Sequence, residues 1–373
     1  MKIFLCGDVM TGRGIDQILP QPCPPTLHEE NMHSAIGYLR LAEDMNSAIP
    51  HPVDLTYIWG TALPELRYEK PQARIINLET SVTRSDAYER KGINYRMSPE
   101  NAATLAAAGL DCCLLANNHV LDWGEQGLVD TLQTLEALHI KTAGAGRNLE
   151  EAAKPAILDI PGEGRVIVFS FASPSSGTPW EWAAGPDRPG VNLIPALSDS
   201  AVAAITEAIA AIRRGGDIIV VSIHWGPNWG YRIAETERRF AHQLIDRAGA
   251  SIVHGHSSHH PKAIEFHTSG LILYGCGDFL NDYEGISGYE EFRNDLALMY
   301  FVRLDRTGAA NPQLDMVPLK INRFQLTPAA ATDIDWLQAT LDRECRKFGT
   351  RVLRTTENHL AAFRSGTTRG EAQ

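Results

Sequence analysis

The hydrophobic positions of this chain fall into short continuous apolar runs, separated by stretches in which apolar residues recur with helical spacing. Such runs, four to eight residues long and bounded by turn residues, are typical of buried strands. They predict strands at 2–6, 73–79, 111–116, 165–172, 217–223, 250–253, 271–274, 296–304 and 313–319. The periodic stretches predict helices at 99–110, 125–138, 198–213 and 235–248 and a polar helical tail from 333. Helices alternate with strands early and strands cluster late, which predicts a layered α/β sandwich.

One stretch does not fit this alternation. Residues 20–70 are rich in proline and polar groups and have only moderate helical periodicity. We interpret them as an insertion or lid over an edge of the sheet.

Polar side chains with metal-binding or acid–base chemistry follow five of the predicted strands. Ligand groups in open α/β sheets lie at the carboxyl ends of strands, so these five positions are expected to converge on one edge. Carboxylate, amide oxygen and imidazole together are ligands for a divalent ion. The alternatives are a capped turn at the first position and a solvated polar loop at the last. The five positions are Asp8, Glu79, Asn118–His119, His224 and the loop from His256 to His259.

Composition narrows the class of protein. The 373 residues are 44% hydrophobic and 21% charged, which is typical of a globular protein with a sizeable core. The net charge of −11 argues against a nucleic acid or an anionic membrane as partner. The six cysteines form no CxxC pair, and no apolar stretch is long enough to span a membrane. We therefore expect reduced thiols and a soluble, cytoplasmic protein.

Five motifs in these strand-end positions resemble those of the CapA-type proteins, named for capsule and poly-γ-glutamate synthesis, in the calcineurin-like metallophosphoesterase superfamily. The resemblance covers roughly residues 2–300. It implies a calcineurin-like four-layer α/β/β/α sandwich over residues 1–325, followed by a C-terminal helical extension and tail at 326–373. The motifs are Gly7-Asp8-Val9-Met10, Asn77-Leu78-Glu79-Thr80, Asn117-Asn118-His119-Val120-Leu121-Asp122-Trp123-Gly124, His224-Trp225-Gly226 and Gly255-His256.

The resemblance also implies roles for individual residues. His119 is implied to be the catalytic acid or base. The implied metal ligands are Asp8, Glu79, Asn118, His224 and His256.

The chain departs from the superfamily at two motifs. A metallophosphoesterase opens with Asp-x-His, whereas Val9 and Met10 follow Asp8 here. The superfamily's last motif is Gly-His-x-His, whereas this chain has one additional residue between His256 and His259. Two-metal chemistry needs both ions fully held, so these departures favour a single oxygen-rich site for Ca²⁺, Mn²⁺ or Mg²⁺ over a zinc pair.

One ion with additional histidines suits proton transfer at a carbon next to a carbonyl group. The candidate acid–base pairs are His119 with Asp122 and His259 with Asp278; Asp278 could instead bind the metal or cap a turn. Arg13 could anchor a carboxylate or phosphate of the substrate, or lie on the surface.

Several tryptophans follow the same strands and could either wall a substrate pocket or pack in the core. Those expected to bind substrate are Trp225 and Trp229, with Trp180 and Trp182 nearby in the sequence.

These expectations point first to a metal-dependent peptide epimerase. The chain resembles relatives of CapA proteins that invert the C-terminal residue of a ribosomal lasso-type precursor peptide. The alternatives are a metal-dependent phosphoester hydrolase and a CapA-like protein of poly-γ-glutamate or capsule synthesis that binds a polymer or a synthase. The substrate, the ion and the oligomeric state stay open.

Overall fold

The structure is a computed structural model that describes residues 1–305 and 312–366. The strands of this part are β1 (Lys2–Val9), β2 (Ala73–Leu78), β3 (Ser81–Val82), β4 (Arg96–Met97), β5 (Cys112–Leu114), β6 (Lys141–Ala143), β7 (Ala145–Gly146), β8 (Ala156–Ile160), β9 (Gly164–Ala172), β10 (Gly190–Val191), β11 (Ile218–His224), β12 (Ile252–His256), β13 (Ile264–His267), β14 (Gly270–Leu273), β15 (Asp278–Leu280), β16 (Leu296–Arg303), β17 (Gln313–Asn322), β18 (Gln325–Pro328), β19 (Thr350–Arg354) and β20 (Leu360–Arg364). Its α-helices are α1 (Gly14–Ile18), α2 (Ile36–Met45), α3 (Ala62–Glu69), α4 (Ala103–Ala107), α5 (Gly124–Ala137), α6 (Leu149–Ala153), α7 (Asp199–Ile212), α8 (Glu235–Asp246) and α9 (Ala331–Cys345).

Two large sheets form the centre of the molecule. The first has the order β19-β20-β17-β16-β1-β2-β5-β6, with β15 also paired to β1 and β18 to β17. The second has the order β13-β14-β12-β11-β9-β8. In the first sheet β1, β2, β5 and β6 are parallel, and in the second β9, β11, β12 and β14 are parallel. Each sheet therefore presents several carboxyl ends at one edge.

Alternate side chains of β1 belong to different cores, as the two-residue period of a strand requires. Leu5 packs with Val168 and Val221 of the second sheet, in the core between the sheets. Phe4 packs instead with residues such as Leu39 of α2, in the core under the helices that cover the first sheet. Helices α7 and α8 cover the outer face of the second sheet. The order of layers is α/β/β/α, which confirms the predicted calcineurin-like sandwich.

Most predicted elements are present, and three segments differ. Residues 99–110 form a 3₁₀ turn, Pro99–Ala102, followed by the short helix α4. The segment 20–70 contributes buried side chains such as Trp59 to the core under the first sheet, so it is a covering layer and not a lid.

The C-terminal segment is more than a helical tail. Helix α9 is present as predicted, but two strands follow it: β20 pairs with β17, and β19 pairs with β20 as the edge strand of the first sheet. β19 has no continuous apolar run, and the run in β20 is only four residues long and half alanine, so the sequence pattern did not indicate either strand.

Candidate metal and acid–base site

The central strand β1 brings two carboxylates together at the edge of the first sheet. Asp8 lies opposite Asn77 of β2 on one side and opposite Asp278 of β15 on the other. The preceding residue explains this close approach, because a Cβ at Gly7 would lie 1.6 Å from the carbonyl oxygen of Gly277. Glycine is therefore required at position 7 for β15 to dock against β1.

Three carboxylates are buried within this small region. Asp8, Glu79 and Asp278 have 0%, 2% and 1% of their surfaces exposed. Burial and the charge of Asp278 raise the pKa of Asp8 to about 7, and burial and the charge of Asp8 raise the pKa of Glu79. Glu79 Oε2 has no hydrogen-bond partner in the part of the chain that the structure describes. A buried, unsatisfied carboxylate beside two others is a group that a cation would satisfy.

Two imidazoles complete the donor set from the second sheet. His224 and His256 are cross-strand neighbours on β11 and β12, and their Nδ1 atoms are 2.7 Å apart. Burial lowers the pKa of both side chains, which favours the neutral form that binds metals. His256 Nδ1 lies 3.7 Å from Asp8 Oδ1. The donor atoms of His224, His256 and Asp8 all lie within 4.8 Å of one another.

The other two predicted ligands lie against His224. Its Nε2 is 3.0 Å from Asn118 Oδ1 and 3.7 Å from Glu79 Oε1. The structure therefore brings all five predicted ligand residues together, and their donor set of carboxylate, amide and imidazole fits a divalent cation. Whether they bind one stays a prediction.

His119 forms a pair with Asp122 beside this cluster. Its Nδ1 lies 2.6 Å from Asp122 Oδ2, and its Nε2 points towards Glu79 Oε1 at 3.8 Å. Burial, opposed by the charge of Asp122, lowers the pKa of His119 to about 4. One nitrogen is thus fixed by a carboxylate while the other faces the carboxylate cluster, an arrangement suited to proton transfer.

His259 forms the second pair, with Asp278. Its Nδ1 lies 2.9 Å from Asp278 Oδ1, and its Nε2 lies 3.1 Å from Asn228 Nδ2 at the exposed side. Burial alone would lower the pKa of His259, but the Asp278 carboxylate raises it. Asp278 Oδ2 in turn accepts a hydrogen bond from Asn281 Nδ2 at 2.7 Å, which fixes the orientation of the carboxylate.

Two further histidines flank the loop from His256 to His259, and both have structural partners. His254 lies 2.9 Å from the carbonyl oxygen of Cys6 and 3.0 Å from Ser222 Oγ. His260 accepts the backbone N–H of Gly230 and packs on aromatic rings. Of the four histidines between residues 254 and 260, His256 and His259 contribute to the site and the other two do not.

Arg13 lies beside the site, with its guanidinium carbon 4.5 Å from the Tyr95 ring centroid and 5.8 Å from that of Tyr283. Its side chain is buried, and its guanidinium binds Asp282 through two nitrogens, at 3.1 and 2.5 Å, and Glu29 at 3.2 Å. The fork that was predicted to bind a ligand carboxylate is therefore occupied by internal ones. Arg13 therefore holds the loop after β1 against the segment after β15, and its role as a substrate anchor stays a prediction.

The two tryptophans predicted to bind substrate have different environments. Trp225 is 2% exposed, packs in the core between the sheets, and donates from Nε1 to the carbonyl oxygen of Tyr274. It has almost no surface to offer a substrate, which corrects that prediction. Trp229 is half-buried, stacks on Tyr289 at 4.0 Å between ring centroids, and lies 5.2 Å from the His259 ring. Trp229 therefore lies at the rim of the site.

Three residues of the site were not indicated by any motif. Lys91 Nζ lies 2.8 Å from Asp122 Oδ1, so the carboxylate that orients His119 is itself held by a cation. Tyr95 contacts the His119 ring edge-on at 4.6 Å, and Tyr283 contacts the His259 ring in the same way at 5.3 Å. All three come from loops, where spacing gives no signal.

The two tyrosines also meet each other. The Tyr95 and Tyr283 hydroxyl oxygens are 2.8 Å apart. The two histidine–aspartate pairs are thereby connected through a pair of aromatic rings and lie in one continuous site.

Comparison with known proteins gives the family. Residues 2–283 match the family described as "Bacterial capsule synthesis protein PGA_cap". The chain is 48% identical to a probable polyglutamine synthesis accessory protein of Mycobacterium tuberculosis over 96% of its own length and 95% of that protein. It is 28% identical to the PGA biosynthesis protein CapA of Bacillus subtilis, over 73% of this chain and 67% of that one. It is 26% identical to the capsule biosynthesis protein CapA of Bacillus anthracis, over 89% of this chain and 70% of that one.

These relatives are named for capsule or polyglutamine synthesis. In residues 1–305 and 312–366 of this chain, we find no helix long and apolar enough to cross a membrane. The family match and the full-length relative agree with the motifs at the strand ends. The chain belongs to the PGA_cap family of CapA-like bacterial capsule synthesis proteins.

Proposed function

We propose that the protein is a metal-dependent epimerase that inverts the Cα of a residue in a glutaminyl or glutamyl chain during polymer synthesis. The observation that carries the proposal is the presence of two histidine–aspartate pairs in one site, His119–Asp122 and His259–Asp278. Inversion at carbon needs one group to remove a proton and another to return one from the opposite face.

The buried donors would hold the cation. Asp8, Glu79 and Asn118 supply oxygen, and His224 and His256 supply nitrogen. When bound, a divalent cation polarises a substrate carbonyl and so lowers the pKa of the adjacent Cα proton. The orphaned Glu79 Oε2 is the observation in favour of such an ion.

The histidines would move the proton. His119 Nε2 faces the carboxylate cluster and is free to accept the Cα proton, while Asp122 stabilises the imidazolium that forms. His259 returns a proton from its Nε2 to the other face, after the substrate displaces the exposed hydrogen bond to Asn228. Exchange with water then restores both histidines, so no other co-reactant is needed.

The charge of the protein favours a neutral chain as substrate. A net charge of −11 and three buried carboxylates repel a polyanion, whereas a glutamine side chain carries no charge. The M. tuberculosis relative is named for polyglutamine synthesis. We therefore propose that the substrate is a glutaminyl chain in preference to a glutamyl chain. A ribosomal lasso-type precursor, the substrate expected from the sequence, stays a prediction.

Deuterium exchange tests the proposal. The full chain, loaded separately with Mg²⁺, Mn²⁺ or Ca²⁺, is incubated in D₂O with short oligoglutamine and γ-linked oligoglutamate peptides. Mass spectrometry then measures deuterium uptake at Cα, and chiral amino-acid analysis measures inversion. We expect metal-dependent uptake that His119→Gln reduces about 100-fold. The control substitution His33→Gln, of an exposed histidine, should leave uptake intact.

The same protein incubated with a generic phosphodiester tests the second candidate, a phosphoester hydrolase. The position of His119 beside the donor cluster favours this candidate as well. Ester cleavage without Cα exchange would replace the epimerase with the hydrolase. Neither activity with any of the three ions would leave a binding role in polymer synthesis and overturn the proposed reaction.

A further inference from the structure

A second group of metal-ligating side chains lies where α8 meets β13, away from the site described above. His242 comes from α8, and Glu265 and His267 come from β13. One donor atom from each of the three lies within 4.8 Å of the other two. Asp246, at the end of α8, extends the group, because its Oδ2 is 2.9 Å from His267 Nε2. We call these four residues the α8–β13 cluster.

The spacing of the four residues in the sequence explains why they face each other. His242 and Asp246 are four residues apart on a helix and therefore lie on the same helical face. Glu265 and His267 are two residues apart on a strand and therefore lie on the same face of the sheet. Two pairs of ligand-type side chains are thus presented to each other by two regular elements.

The contacts within the α8–β13 cluster leave ligand capacity unused. The rings of His242 and His267 stack with 3.7 Å between centroids and an angle of 6°. His242 Nε2 is buried and 3.0 Å from Glu265 Oε1, yet it has no hydrogen-bond partner in the part of the chain that the structure describes. An imidazole nitrogen beside a carboxylate without a bond between them is a pair that an ion can join.

The chemistry of the donors selects the type of ion. Two imidazoles with one or two carboxylates suit zinc and neighbouring transition metals, whereas Ca²⁺ and Mg²⁺ prefer oxygen alone. Zinc binds nitrogen at about 2.0–2.1 Å, which in a tetrahedron separates the ligands by about 3.4 Å. The His242 and His267 side chains are 24% and 19% exposed, so they can turn to reach this geometry.

We infer that the α8–β13 cluster is a zinc-binding site that joins α8 to β13. His242, Glu265 and His267 are ligands, and Asp246 supplies the fourth ligand or orients His267. Tyr274 supports Glu265 by donating from its hydroxyl to Oε2 at 2.7 Å. Arg238, 3.3 Å from Glu265 Oε1, gives up this contact when the ion binds. The site stabilises the fold and takes no part in the proposed reaction.

Calorimetric titration of the full chain with Zn²⁺ tests the inference. The double variant His242→Ala, His267→Ala is compared with a matched control, His33→Ala, His51→Ala, which removes two exposed histidines. We expect the control to bind one more Zn²⁺ per chain than the cluster variant, or to bind it at least tenfold more tightly. Zinc should also raise the melting temperature of the control by more than that of the cluster variant.

Equal stoichiometry and equal affinity in the two variants would overturn the inference. Circular dichroism shows whether each variant is folded, and Glu265→Gln provides a second test in which both histidines remain. Zinc binding unchanged in Glu265→Gln as well would remove the site. Glu79→Gln identifies any ion that binds at the candidate catalytic site, because that substitution leaves the α8–β13 cluster intact.

Discussion

Two clusters of imidazole and carboxylate groups lie at opposite ends of the parallel strands in the six-stranded sheet, and they differ in burial. His224 and His256 stand at the carboxyl ends of β11 and β12 and are 1% and 0% exposed. His267 pairs with Gly270, the first residue of β14, and its side chain is 19% exposed. Both clusters contain histidine, aspartate and glutamate.

The difference in burial changes what each cluster requires. At the buried site three carboxylates have no access to water, so their repulsion must be relieved by protonation or by a cation. In the α8–β13 cluster the Asp246 side chain is exposed to solvent, and Glu265 already contacts the Arg238 guanidinium and the Tyr274 hydroxyl. Residue type therefore indicates that a metal can bind, and burial indicates whether the site depends on it. The following predictions test this contrast.

The largest effect is expected from Glu79→Gln. Neutralising a buried donor should reduce the rate of Cα exchange more than about 100-fold. Even substitutions of residues that only support metal ligands typically reduce metal affinity or activity about 10- to 100-fold. The stability of the metal-free protein should stay the same or rise, because repulsion with Asp8 is removed. Exchange assays and urea denaturation measure the two effects. Glu265→Gln is the matched control and should leave exchange unaltered; equal losses in both variants would contradict the contrast.

A loss of about 100-fold in exchange is expected from His119→Gln, the range for removing a general acid or base. The bound catalytic ion should remain, because His119 is not among the proposed ligands. His242→Gln, in the α8–β13 cluster, should exchange at the wild-type rate. Metal analysis of both purified proteins separates the roles: loss of the catalytic ion from His119→Gln would make this residue a ligand.

A smaller loss, about tenfold in the rate of Cα exchange, is expected from Lys91→Met. Lys91 binds Asp122, so its removal loosens the carboxylate that orients His119 without removing either group. Exchange rates measured at saturating metal would show the loss in turnover, and zinc binding to the α8–β13 cluster should be unchanged. An unaltered exchange rate would show that Asp122 is held well enough by its other contacts.

The smallest effect on activity is expected from Trp225→Phe, between the two clusters. The substitution removes a hydrogen bond to the Tyr274 carbonyl and part of a buried ring, and should cost about 1–2 kcal/mol of stability. Urea denaturation measures this cost, and exchange should remain within a factor of about two of wild type. A large loss of exchange with normal stability would restore Trp225 as a substrate contact.

The site residues that could be predicted from the sequence are those at strand ends. Asp8, His224 and His256 each end or follow an apolar run, and parallel strands bring their carboxyl ends to a common edge. The pairing of His119 with Asp122 also followed from local spacing. For the same reason the layered fold was predictable, because it depends on the alternation of strands and helices along the chain.

The features that could not be predicted depend on partners distant in sequence. Arg13 is an internal ion-pair residue only because Asp282 meets it, and no pattern around Arg13 indicates this. Lys91 and Tyr95 reach His119 from a loop without periodicity. Trp225 directly follows β11, which ends at the proposed metal ligand His224, so its motif indicated a role in substrate binding. Its side chain packs instead in the core between the sheets.

The close docking of β15 on β1, which Gly7 permits, has a consequence for a shortened chain. Asp8 and Asp278 are neighbours on paired strands although 270 residues separate them along the chain. The five proposed cation donors all precede β15, whereas the carboxylate that orients His259 lies on it. A chain shortened before β15 would therefore keep the donor residues but lose the second histidine–aspartate pair.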